Sequence, residues 1–143
     1  MALTDQQADA IAALLNARNE LTVDYSGARV LEEADDYLCA VSDAGEVLAC
    51  VEIKKVQWYQ CEVLHLTVAE AHEGKGHAKR LLCEAERVAR SRSARVLQCT
   101  IREDNARSRR LFEGFGFQRV CAFRNEHSGN NVGVFQKVLV PAR

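Results

Sequence analysis

Proline is almost missing from this sequence: among 143 residues the single one is Pro141. No proline-rich or glycine-serine tract marks a linker, and no repeat or low-complexity segment is present. An excess of one charge is missing too. With 19 Lys and Arg against 20 Asp and Glu the net charge is −1, which gives neither nucleic acid nor an anionic membrane an electrostatic reason to bind. No apolar run approaches membrane-spanning length. The start, MALTDQQADA, lacks the basic and apolar parts of a signal peptide, so the expected compartment is the cytosol. The six cysteines, Cys39, Cys50, Cys61, Cys83, Cys99 and Cys121, form no C-x-x-C pair. That removes the usual zinc and thioredoxin-type spacings, and no metal is expected. Most of them lie in apolar runs and read as small buried hydrophobes; a catalytic thiol has little local support.

What is present is an ordinary globular composition, 48% apolar and 27% charged, in a length that suits one domain with a real core. Thr4 followed by Gln7 is a capping-box pattern, and Ala8, Ile11, Ala12, Leu14 and Leu15 carry a first helix to about Ala17. Residues 18–35 read as a connection with a short helix around Ala28–Ala34. Tyr37–Val41 and Val47–Ile53, the latter extendable through Gln57, flank the hairpin signal Asp43-Ala44-Gly45. A strand over Glu62–Val68, a helix over 76–91 and a strand over Val96–Ile101 follow. Asn105 caps a short helix ending near Gly114. Phe117–Phe123 and Val132–Leu139 close the chain as strands around the polar loop Asn125–Asn131. This order predicts a mixed α/β sheet with helices on its faces.

The chemistry concentrates in Leu64–Ala78, LHLTVAEAHEGKGHA. An apolar strand runs into a glycine turn, and the turn opens a helix. Backbone N–H groups at such a helix start hold a phosphate or pyrophosphate without needing a side-chain cation. Ala78, Leu81, Leu82, Ala85, Val88 and Ala89 recur at helical spacing, so one face packs inward. Arg80–Glu84 and Glu86–Arg90 are i,i+4 pairs worth about 0.3 kcal/mol each. A Walker loop, G-x-x-x-x-G-K-S/T, is absent. So is the G-x-G-x-x-G of a Rossmann dinucleotide site.

Two segments together resemble the GNAT superfamily of acyl-CoA-dependent N-acetyltransferases. The family's phosphate motif, Gln/Arg-x-x-Gly-x-Gly/Ala after an apolar strand ending in Val, is similar to Glu73-Gly74-Lys75-Gly76-His77-Ala78 after Leu66-Thr67-Val68. Its second signature is similar to Leu97, Cys99, Ile101, Asn105, Ser108, Leu111, Phe112, Gly116 and Phe117. The resemblance covers roughly 37–139. It departs at Glu73, where Gln or Arg is usual, and at Phe112, where many members carry a Tyr that protonates the leaving thiolate. Phenylalanine has no proton to give. The family's first strand is missing or very short.

The resemblance implies a GNAT-like α/β domain over 1–143, with a mixed, mostly antiparallel central sheet flanked by helices. It implies acetyl-CoA as co-substrate and direct attack of an amine on the thioester. The cofactor contacts it implies are Leu66, Thr67 and Val68 for the pantetheine, and Glu73, Gly74, Lys75, Gly76, His77, Ala78 and Lys79 for the pyrophosphate. Asn105, Ser108 and Phe112 add to them, with Asn105 also a helix cap. The backbone N–H of Leu66 would stabilise the developing oxyanion. Glu62 is the candidate base, the alternative being a solvated strand-end carboxylate; His65 is a second candidate, placed by alternation on the opposite face unless a bulge intervenes. Tyr37 and Tyr59 are possible acids. Arg102, Arg107, Arg109 and Arg110 could meet the adenosine 3′-phosphate or form a solvated helix face. Trp58-Tyr59-Gln60 and the loop Asn125–Asn131 could border the acceptor. That acceptor is a small-molecule amine or a protein or peptide amine, and the protein a monomer or homodimer. A non-catalytic acyl-CoA-binding regulatory module is the alternative.

Overall fold

In a computed structural model, which describes residues 3–19 and 24–140, the elements follow the expected order. Residues 20–23 of the expected connection, and Pro141, lie outside the described residues. Helix α1 covers Asp5–Arg18, and α2 covers Gly27–Glu32. Strands β1, β2 and β3 cover Tyr37–Val41, Val47–Gln57 and Gln60–Val68. Helix α3 spans His77–Ser91, β4 Val96–Arg102, α4 Ala106–Gly114, β5 Gln118–Arg124 and β6 Asn131–Val138. The six strands form one mixed sheet in the order β1-β2-β3-β4-β6-β5. β3 and β4 pair parallel, while β1–β2, β4–β6 and β5–β6 pair antiparallel.

The chain divides into two units: residues up to Ile53 with His65–Ala85, and Lys54–Leu64 with the residues from Glu86 on. In the first, the capping box at Thr4 is complete. The Thr4 hydroxyl accepts from the Gln7 N–H, and the Gln7 side chain accepts from the Thr4 N–H, both at 3.1 Å. The short helix begins and ends earlier than the spacing suggests, because the Ser26 hydroxyl caps it by accepting from the Arg29 N–H. Ala8, Ile11, Ala12, Leu15, Val30, Tyr37 and Cys50 make this unit's core. Gly27 permits close approach of α2 to α1: a Cβ there would stand 1.8 Å from Asp9 Oδ1. One charged side chain enters the buried stretch of β2. Glu52 is 4% exposed and sits opposite Tyr37 in the β1–β2 ladder.

In the second unit, Leu97, Cys99, Ile101, Phe112, Phe117 and Phe135 are buried. Truncating the fully enclosed Phe135 to Ala would cost about 3–5 kcal/mol. Phe112 packs edge to face on Phe117, with ring centroids 5.1 Å apart. Burial lifts Glu86, but hydrogen bonds and charge from Lys137 and Arg90 outweigh it and hold the carboxylate below its ordinary value.

The cysteines divide evenly rather than mostly inward. Cys50, Cys61 and Cys99 are buried, Cys39 is half-buried, and Cys83 and Cys121 are exposed. All six are free thiols. Burial pushes Cys50 and Cys99 each up to about 12, so they stay protonated and behave as apolar filling.

Candidate active site

The loop between β3 and α3 owes its shape to two glycines. Gly74 and Gly76 have φ of 76° and 83°, a left-handed backbone that residues with a Cβ rarely adopt. No atom lies within 4 Å of a Cβ built at Gly74, and at Gly76 the nearest is Arg80 Nη1 at 3.7 Å. The peptide backbone is therefore open on that side, at the point where α3 begins. Arg80 folds back over the loop. Its Nη2 donates to the Lys75 carbonyl at 3.2 Å and lies 3.0 Å from His77 Nδ1. Slight desolvation, then the charges of Arg80, His72 and Lys75, hold His77 below its ordinary pKa. Glu73, the residue out of keeping with the motif, is ion-paired to Arg18 from the last turn of α1.

Upstream, β3 does not alternate evenly. Cys61, Val63 and Thr67 are buried, while Leu64, His65 and Leu66 are all half-buried. The interruption is at His65, whose φ is 54°. Histidine tolerates this region better than most residues, and two side chains pin the kink. Thr67 Oγ1 donates to the His65 carbonyl at 3.0 Å and accepts from Asn19 Nδ2 at 3.1 Å. The kink brings His65 Nε2 to 2.9 Å from the Tyr25 hydroxyl. Plain alternation therefore does not decide which way His65 faces.

Glu62 begins a row of amide partners across β3, β4 and β6. Gln98 Nε2 donates to Glu62 Oε1 at 2.9 Å, and Gln136 Nε2 donates to Gln98 Oε1 at 2.7 Å. These three residues face one another in the strand registers.

The acetyltransferase (GNAT) family matches residues 5–117. The chain belongs to this family. No curated protein matches it in sequence. Among solved structures it is similar to yncA from Salmonella typhimurium with its cofactor acetyl-CoA, at TM-score 0.85 and 19% identity, covering 100% of this chain and 94% of that one. It is also similar to the ribosomal-protein-S18-alanine N-acetyltransferase from Escherichia coli, at TM-score 0.79 and 17% identity, covering 100% and 94%. Ard1 from Thermoplasma volcanium aligns at TM-score 0.82 and 16% identity, over 99% and 97%. The sheet flanked by helices is thus the GNAT fold.

In this GNAT chain the second signature opens α4. The Asn105 side chain accepts from the Ser108 N–H at 3.1 Å, so it serves as the cap. Phe112 is 5% exposed. Arg102 makes two bonds to Asp104, at 3.1 and 2.8 Å, and the hydrogen bond holds the Asp104 carboxyl below its ordinary range. Tyr37 is pushed above the ordinary phenol value, first by burial and then by Glu52, so it keeps its proton. Trp58 and Tyr59 lie in the turn between β2 and β3, Trp58 being 72% exposed. No group of three or more His, Cys, Asp or Glu among the described residues could hold a metal ion. No described helix is long and apolar enough to cross a membrane.

Three side chains escaped the sequence reading. Arg18 closes a helix in a way any solvated arginine does. Tyr25 lies in the stretch where no period was legible. Glu52 did leave a trace, as a carboxylate inside the apolar run VLACVEI.

Proposed function

We propose that this protein transfers the acetyl group of acetyl-CoA to an amine by direct attack within a ternary complex, with residues 1–143 working as one N-acetyltransferase domain. One observation carries the reading: the two left-handed glycines at the start of α3, with Lys75 and Arg80 beside them. A helix start with open backbone and nearby cations suits a pyrophosphate. The Arg18 partner of Glu73 removes the objection that a carboxylate stands in the motif.

When bound, acetyl-CoA supplies an activated thioester. In this proposal Glu73 to Lys79 hold the pyrophosphate, and the backbone of Leu66, Thr67 and Val68 pairs with the pantetheine amides. The Leu66 N–H meets the thioester oxygen as charge develops there, a contribution of about 3–4 kcal/mol. Asn105, Ser108 and Phe112 add cofactor contacts. Glu62 takes a proton from the acceptor nitrogen. Phe112 has no proton to donate, so the thiolate is quenched from water.

The test is thiol release from acetyl-CoA with a panel of small amines, N-terminal peptides and lysine peptides. Turnover with any of them supports the proposal. Binding of acetyl-CoA with no thiol release across the panel would instead make this a non-catalytic acyl-CoA-binding module. Thermal stabilisation by ATP or NAD, but not by acetyl-CoA, would overturn both.

A further inference from the structure

A polar cluster around His65, the second candidate base, lies within the first unit and is left unused by the mechanism above. The Tyr25 hydroxyl is 2.9 Å from His65 Nε2, and the two rings meet edge to face with centroids 5.3 Å apart. Glu52 Oε1 stands 3.9 Å from the same nitrogen. Among the described residues Glu52 is the one buried charged side chain. Burying a carboxylate is expensive without a compensating charge nearby. The left-handed backbone at His65, φ 54°, is strained for a residue that is not glycine. Strain and a buried charge therefore meet at one imidazole, directly before Leu66.

We propose that Tyr25 and His65 form a proton relay for the acceptor amine, with Glu52 balancing the charge that the imidazole gains. The proposal rests on the acetyl-transfer reading above. An amine with a pKa near 10 arrives as an ammonium at neutral pH and cannot attack until a proton leaves. One ammonium N–H bond breaks, its electrons stay on nitrogen, and the Tyr25 oxygen takes the proton. In the same motion the Tyr25 O–H bond breaks and an N–H bond forms at His65 Nε2. The freed lone pair makes the C–N bond as the C–S bond breaks and its electrons pass to sulfur. The second proton leaves nitrogen as that bond forms and is the one assigned to Glu62. His65 and Glu62 each return their proton to solvent and water protonates the thiolate, so the net products are the amide, the free thiol and one proton.

The surroundings suit a neutral resting imidazole. Burial, then the Arg29 charge, pull His65 below its ordinary value, while Glu33 opposes them. Arg29 lies over the Tyr25 ring, its guanidinium carbon 4.5 Å from the centroid. From β2, Cys50 Sγ lies 4.0 Å from the His65 carbonyl, and Tyr37 from β1 stands opposite Glu52. At 3.9 Å Glu52 is beyond hydrogen-bond reach of Nε2, whereas the Tyr25 hydroxyl at 2.9 Å is within it; the relay requires that hydroxyl to be the donor, which fixes the His65 tautomer to be tested.

The experiment uses the full chain and two readouts. Ring-nitrogen NMR at pH 8, without ligand, should find His65 with its proton on Nδ1 and a bare Nε2; a proton on Nε2 at that pH overturns the relay. Thiol release is then measured with acetyl-CoA and the fastest amine of the panel. Tyr25→Phe keeps the ring packing, and His65→Asn keeps a residue that tolerates the left-handed backbone. Each should lower kcat about 10²-fold and leave acetyl-CoA affinity unchanged. Arg29→Gln removes a charge that disfavours the imidazolium, so the acid limb of its kcat profile should move to higher pH. Folded Tyr25→Phe and His65→Asn with full kcat, or with only a raised KM, overturn the relay while acetyl transfer stands. A wild-type protein that neither binds acetyl-CoA nor releases thiol overturns the acetyl-transfer reading, and the relay falls with it.

Discussion

Arg18 and Glu73 are ion-paired, one from the last turn of α1 and the other from the head of the glycine loop. A second carboxylate, Glu70, lies 3.8 Å from the same guanidinium. Both partners of the main pair are partly shielded, with side chains 33% and 28% exposed. The family usually places Gln or Arg at this position, and here a borrowed cation cancels the wrong charge. Arg18→Ala should therefore weaken acetyl-CoA binding about fivefold, ~1 kcal/mol for a pair with this exposure. Adding Glu73→Gln should restore it. Calorimetry on the single and double variants decides the matter, and a double variant as weak as the single would show that the carboxylate was never the obstacle.

Gly76 stands at φ 83° where α3 begins. Gly76→Asp would force a side chain into a backbone shape it resists and put a negative charge among the phosphates. Acetyl-CoA affinity should drop at least about tenfold, ~1.4 kcal/mol. An unaltered dissociation constant in a folded variant would remove the pyrophosphate from this loop.

Glu62 is held by Gln98, which is held in turn by Gln136. Glu62→Gln preserves shape and removes the carboxylate. Steady-state kinetics should show kcat down about 10²-fold with acetyl-CoA affinity nearly intact. If rate and pH profile both match the wild type, the Glu62–Gln98–Gln136 row is a structural ladder.

His65 also ties stability to pH. Its folded value lies below the 6.5 of a free histidine, with burial the first cause. The unfolded chain therefore binds a proton at a pH where the folded chain does not. Stability should fall as pH drops below about 6.5 and level off only below the folded value. Denaturant midpoints at pH 7.5 and 5.5 should differ less in His65→Asn than in the wild type. Equal losses in both proteins would place the acid sensitivity elsewhere.

Much of the fold was legible before any coordinate. The stripe Ala78–Leu81–Leu82–Ala85–Ala89 gave away α3 because one turn of helix carries 3.6 residues and a sheet hides one face. The extension of β2 through Gln57, the caps at Thr4 and Asn105 and the loop Glu73–Ala78 were readable for a similar reason: each depends on residues within a few positions of one another. The short helix α2 was placed late, since six residues carry too little period to weigh against a serine cap at Ser26.

The sequence by itself therefore determined the family, the order of elements and the glycine loop that opens α3, because local spacing and backbone preference encode them. Only the tertiary structure decided who stands beside whom. Tyr25 reaches His65 across 40 positions, and Arg18 reaches Glu73 across 55. No spacing rule links residues so far apart; their meeting depends on how α1, α2 and β3 pack. The turn of His65 depends on that packing as well. Alternation would set its side chain on one face, but a left-handed backbone held by Thr67 and Asn19 sets it against Tyr25. That conformation is uphill for an isolated histidine and persists because the surrounding contacts outweigh its strain.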